Sequence, residues 1–160
     1  PLTDRASQMA IALDITDNMI DDIYYIIGPG STTKAVMDAL GLKKTLLGVD
    51  IVKNRKLVAS DCNEANILDI ISESKAVLVI TPTGGQGYLL GRGNQQISPK
   101  VLERIKKSNI IIIAVDSKLI QLRGKPLLVY TGDAETDAEL SGYYKVRTGY
   151  GMSRMYKVEV

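Results

Sequence analysis

Apolar residues in this chain follow two rhythms. Short unbroken apolar runs alternate with stretches where apolar positions recur every three or four residues. Over 5–22, Met9, Ala12, Leu13, Ile20 and Ile23 keep helical spacing with Asp14, Asp17 and Asp21 opposite, which predicts a helix. Tyr24 to Ile27 predicts a buried strand. The next helix has Ala35, Val36, Ala39 and Leu40 on its apolar side, Ser31 or Thr32 as its cap and Gly41 as its stop. Leu46 to Val52 and Lys56 to Ser60 flank Lys53-Asn54-Arg55 and predict a hairpin. Asp61 and Glu64 have the spacing of a capping box in front of Ile67, Leu68, Ile70 and Ile71.

Further along, Ala76 to Ile80 predicts a strand, and Ser98-Pro99 starts a helix whose buried side is Val101, Leu102 and Ile105. Lys106 and Lys107 suit that helix's C-terminal end. Ile110 to Val115 is a β-branched run of the kind expected when both sheet faces are covered. Leu127 to Thr131, 143–148 and 154–160 complete the strands, the last two around a Gly149-Tyr150-Gly151 turn. Strands alternating with helices predict an α/β fold. Its expected form is a three-layer, mostly parallel sheet with helices on both faces and antiparallel edge strands near the C-terminus. Residues 1–160 read as one domain, without internal linker or repeat.

Composition narrows the chemistry. The chain has no histidine, which removes Ser-His-Asp and Cys-His catalysis and histidine metal sites. Acid–base work falls to Asp, Glu, Lys or Tyr. Cys62 is the only cysteine, so no intrachain disulfide forms and a cytoplasmic setting is expected. Twenty Lys and Arg against 18 Asp and Glu leave a net charge of +2, too small an excess to imply nucleic acid. No apolar run approaches the roughly 18 residues of a membrane helix, and Pro1 to Gln8 is too polar for a signal peptide.

Two glycine-rich loops carry the candidate chemistry. Gly28-Pro29-Gly30-Ser31-Thr32-Thr33 follows the first strand, and Thr81-Pro82-Thr83-Gly84-Gly85-Gln86-Gly87-Tyr88 follows Ala76 to Ile80. An apolar strand that breaks into Gly, Ser and Thr before a helix presents backbone amides to an anion. The first loop lacks a lysine at its end, so it is no Walker A loop. Its candidate ligands are Gly28, Gly30, Ser31, Thr32 and Thr33; the plain alternative is a strand-to-helix turn. In the second loop, Thr81, Thr83, Gly84, Gly85, Gln86 and Gly87 can approach ribose or phosphate. Beyond it, Arg92 can pair with phosphate, and Asn94 and Gln95 can meet an amide or base edge. The alternatives are a polar surface loop or a subunit contact. Asp133, after Thr131-Gly132, is a candidate Mg²⁺ ligand; the plain alternative is a solvated turn and the first turn of a helix, where acids are favoured anyway. Cys62 reads as a packing residue.

These segments, with Leu46-Leu47-Gly48-Val49-Asp50, Asn63-Glu64 and the run from Gly91 to Pro99, resemble the C-terminal half of ATP-NAD kinase-like proteins related to the acetoin-catabolism X protein. The similarity spans about Ile23 to Tyr156. That family belongs to a superfamily with the diacylglycerol and sphingosine kinases. The resemblance implies a nucleotide ligand, NAD or ATP, with phosphoryl transfer assisted by Mg²⁺. It also implies that Asn63 and Glu64 hold the nucleotide, and that an N-terminal kinase domain supplies the superfamily's Gly-Gly-Asp-Gly-Thr motif, which does not occur here. Thr81-Pro82-Thr83-Gly84 is similar to the start of the Thr-Pro-Thr-Gly-Ser-Thr-Ala-Tyr motif of NAD kinases; Gly85, Gln86 and Gly87 replace Ser-Thr-Ala, and Tyr88 falls at the final Tyr. A homo-oligomer without nucleic acid or membrane partners is expected. Two rival readings remain open. The Gly-Ser-Thr loop is also similar to the ribose-5-phosphate isomerase and CoA-transferase superfamily, which would make this a sugar-phosphate or CoA-ester site. Alternatively, the second loop seals a non-catalytic assembly.

Overall fold

The computed structural model describes residues 3–160. Among the described residues nine strands form one sheet in the order β3-β2-β1-β4-β6-β8-β9-β7-β5. The strands are β1 (Tyr24–Ile27), β2 (Asp50–Lys53), β3 (Lys56–Ala59), β4 (Ala76–Ile80), β5 (Tyr88–Leu90), β6 (Ile110–Ile113), β7 (Leu127–Val129), β8 (Gly142–Gly149) and β9 (Met152–Glu159). The helices are α1 (Asp4–Asp17), α2 (Ser31–Ala39), α3 (Glu64–Ile71), α4 (Pro99–Glu103), α5 (Asp116–Gln121) and α6 (Ala134–Leu140). The sheet is mostly parallel: β1-β4, β4-β6, β6-β8, β9-β7 and β7-β5 are parallel pairs. The C-terminal pair β8-β9 is antiparallel, as the sequence predicts, but it lies inside the strand order and β5 and β3 are the ends. Its two eight-residue strands offer the longest ladder, so each can carry a parallel neighbour on its other side.

The order has a consequence for direction. Because β9 runs antiparallel to β8, strands β9, β7 and β5 point opposite to β1, β4, β6 and β8. Three residues past β4, Thr83 forms an isolated antiparallel bridge with Tyr88 at the start of β5. The pairings β4-β6-β8-β9-β7-β5 thereby return to the extension of β4 and close a ring, with β1, β2 and β3 as a wing.

Two apolar clusters follow from the alternation of side chains along each strand. Ile26, Leu78, Ile80 and Ile112 face one side, with Leu89, Leu127, Val129, Val146 and Val158 from the ring and Ile67, Ile71, Val101 and Leu102 from α3 and α4. Tyr25, Ile27, Val77, Val79 and Ile113 face the other, under Ile11, Ala12 and Ile15 of α1 and Ala35, Val36 and Met37 of α2. Helices thus cover both faces. The first helix is shorter than its apolar pattern, ending where Asn18 caps Asp17. The hairpin turn is narrower than expected: Asn54 and Arg55 both take positive φ, 54° and 63°. Residues 46–49 are outside the strand, with Leu46 and Leu47 exposed.

Candidate functional site

The carboxyl ends of β1, β4 and β6 lie side by side on one sheet edge, where open α/β sheets place ligands. A cleft of about 400 Å³ opens there, lined by Gly30 to Thr32 after β1, Thr81 to Gly84 after β4, Val115, Ser117, Lys118 and Gln121 after β6, and Asp4 and Gln8 of α1. The two glycine loops meet at its floor. A Cβ built on Gly30, whose φ is 127°, would stand 2.7 Å from Thr81 Cγ2, so glycine lets the loops close on each other.

Donors dominate this cleft. The N-cap of α2 is Gly30, not Ser31 or Thr32, so the helix has no side-chain cap. Among the described residues the amides of Ser31, Thr32 and Thr33 therefore lack intrahelical or capping partners, while Lys34 N–H begins the ladder by donating to Gly30 O. Thr81 is 6% exposed and lines the cleft. Its hydroxyl makes no hydrogen bond among the described residues, and no fully enclosed side-chain polar atom among them is unpaired. That hydroxyl thus opens on the cleft. Lys118, half-buried at the wall, forms no ion pair among the described residues. Amides at a helix N-terminus, a free hydroxyl and a cation are groups that can hold an anion.

The remaining predicted residues separate by position. Thr83 and Gly84 are shared with a second depression of about 430 Å³, lined also by Gly85, Gln86, Tyr88, Arg92 and Gly93. Arg92 stacks on the Tyr88 ring at 4.3 Å from its centroid, which offers a flat cationic shelf beside the cleft. Other candidates work inside the fold. Gly28 donates to Val79 O at 2.9 Å and packs against Ile80 and Ile97. Thr33 is fully buried and donates to Gly30 O. Gly87, at φ 76°, accepts from Leu128 N–H. Asn94 is buried, accepting from Gly91 N–H and donating to Leu89 O, both at 3.0 Å, so its amide holds the loop. Gln95 is exposed and lines neither depression.

Asn63 is the N-cap of α3, and its side chain and that of Asn66 exchange the two bonds of a capping box. This corrects the expected pairing of Asp61 with Glu64: Asp61 takes φ 48° and lies outside the helix, so the frame shifts by two residues. Neither Asn63 nor Glu64 lines the cleft. Asp133 caps α6 by accepting from Thr136 N–H and Oγ1, and these bonds hold its carboxyl below the usual range. Because β7 runs opposite to β6, Asp133 stands at the far edge of the sheet, beside α4 and Lys107. Among the described residues no three His, Cys, Asp or Glu side chains gather to hold a metal ion. Burial, with the charges of Asp50 and Asp61, pushes the Cys62 thiol up, which keeps it protonated and inert.

Local reading missed Gln8, Ser117, Lys118 and Gln121. The last three follow β6, and the rule that parallel strands deliver their carboxyl ends to one edge would have found them. Gln8 carries no local signal, since it reaches Ser31 across 23 positions.

A family model described as the ATP-NAD kinase C-terminal domain matches residues 20–158. No curated protein and no solved structure matches the chain significantly. An α/β fold with two glycine loops at one strand edge defines the general class. The chain belongs to the ATP-NAD kinase C-terminal domain family and is an NAD kinase-like domain. No helix among the described residues is long and apolar enough to cross a membrane.

Proposed function

We propose that this domain binds NAD or ATP, with a phosphate in the cleft between Gly30–Thr32 and Thr81–Gly84, as part of an NAD kinase-like phosphotransferase. The observation that carries the reading is the convergence of uncapped α2 amides, the free Thr81 hydroxyl and Lys118 on one space. The Tyr88–Arg92 shelf next to it suits a sugar or base. Phosphoryl transfer depends mostly on positioning and electrostatics, so a domain with this cleft can hold the nucleotide while an N-terminal domain supplies the group that activates the acceptor hydroxyl. Magnesium would neutralise charge on the phosphates. Asp4 is the carboxylate at the cleft, and Mg²⁺ commonly needs only one or two carboxylates beside phosphate oxygens.

Titration calorimetry with NAD, NADP, ATP and ADP, with and without Mg²⁺, tests the reading. Heat from at least one nucleotide, lost in Lys118→Ala, is expected; no heat from folded protein would sink it. The same donor cradle would also accept a sugar phosphate, and ribose 5-phosphate as a parallel titrant separates that alternative.

A further inference from the structure

We propose that Gln8 is a positioning residue that fixes the hydroxyls of Ser31 and Thr32 as donors and so makes the cleft selective for anions. The inference rests on the phosphate reading above and adds to it a residue outside the matched span 20–158. Gln8 Nε2 donates to Ser31 Oγ at 2.9 Å and to Thr32 Oγ1 at 3.2 Å. A hydroxyl offers one proton and two lone pairs. Once each oxygen accepts from the amide, its proton is free to be given to an oxygen in the cleft. Thr32 is nine-tenths buried, so it has little water to reorient it. The amide therefore polarises two hydroxyls in the same sense as the α2 amides next to them.

Gln8 is itself held from both ends of α1. Ser117 Oγ donates to Asp4 Oδ1 at 2.8 Å, which ties the start of the helix to the loop after β6. Asp14 accepts from Arg147 and from Gly151 N–H, both at 3.2 Å, which ties its far half to the β8-β9 turn. The first half of the helix thus borders the cleft, with one amide on the two hydroxyls.

The test is calorimetry of NAD with the whole chain, its Gln8→Leu and Gln8→Glu variants, at pH 8 and pH 5. The pyrophosphate of NAD has no proton to lose across that interval, so any pH effect belongs to the protein. Thermal unfolding confirms that each variant is folded. Gln8→Leu leaves the hydroxyls unoriented, and about a tenfold loss of affinity is expected at both pH values, the scale of one hydrogen bond to a charged group. Gln8→Glu places a carboxylate that can only accept, so both hydroxyls turn toward it and away from the ligand. Its loss should exceed that of Gln8→Leu at pH 8 and shrink at pH 5, as the carboxyl, ordinarily near a pKa of about 4.3, gains a proton beside the bound anion. Wild-type affinity in both variants, or an equal loss at both pH values in Gln8→Glu, overturns the role of Gln8 alone. Failure of the wild type to bind NAD overturns this inference, and failure to bind NADP, ATP and ADP as well overturns the phosphate reading with it.

Discussion

Lys44 and Asp50 form an ion pair at 2.8 Å with both side chains almost wholly removed from solvent. Burial on its own would raise the Asp50 pKa. The Lys44 ammonium, the Asp61 and Thr45 amides and the Thr45 hydroxyl together outweigh it, and the carboxyl titrates below its usual range. A carboxyl depressed in the folded state contributes stability above its unfolded pKa of about 3.9 and loses it as pH falls through the folded value. The thermal midpoint should therefore hold down to about pH 4 and then fall, with a shallower fall in Asp50→Asn. Lys44→Met should cost about 3–5 kcal/mol by denaturant titration, because it strands the buried carboxylate. A cost under about 1 kcal/mol would mean that water reaches Asp50. At Gly30, alanine meets both a positive φ and the Thr81 methyl group. Gly30→Ala should push the two loops apart and weaken nucleotide binding. Gly93→Ala has open space around its Cβ, and its cost is that of φ 75° alone.

Helix ends decide which sequence signals were legible. Ser98-Pro99 was readable because the signal is wholly local, and Ser98 Oγ does accept from Val101 N–H. Asp61 to Glu64 misled because two capping frames overlap there, and only the fold selects Asn63 by drawing Asp61 N–H onto Asp50. Tyr88–Leu90 could not be recognised as a strand from three residues; it exists because β7 lies alongside it. The candidate site divides in the same way. Gly30, Ser31, Thr32 and Thr81 were legible as loop chemistry at strand ends, whereas Gln8 and Lys118 arrive through packing of distant segments. The capping assignment makes a prediction at this scale. Asn63→Ala should lower stability by about 1 kcal/mol through loss of the cap, with nucleotide affinity unchanged. An affinity loss without a stability loss would instead place Asn63 on the ligand.

Across the whole molecule, the ring of strands is closed only by the turn between β4 and β5. Thr83 N–H donates to Tyr88 O at 2.9 Å, and Leu128 N–H to Gly87 O at 2.9 Å, on either side of exposed Gly84 and Gly85. Thr83 and Gly84 also line the cleft. A phosphate held between Gly30–Thr32 and Thr81–Gly84 would therefore clamp the closing turn to the end of β1, at the point where the ring has least pairing. Ligand that binds only the folded state at 100 times its Kd stabilises by about 2.7 kcal/mol. For a chain of this size that corresponds to a rise in Tm of roughly 5–10 °C. Such a rise would accompany binding anywhere on the fold, so it does not locate the ligand. Hydrogen exchange does. The amides of Ser31 to Thr33 and of Thr83 should slow on adding NAD or ATP beyond the general slowing of core amides such as Leu78. Lys118→Ala should remove the excess. If the extra protection falls instead on 134–140, beside Asp133, the ligand sits at the opposite edge of the sheet and the cleft described here is not its site.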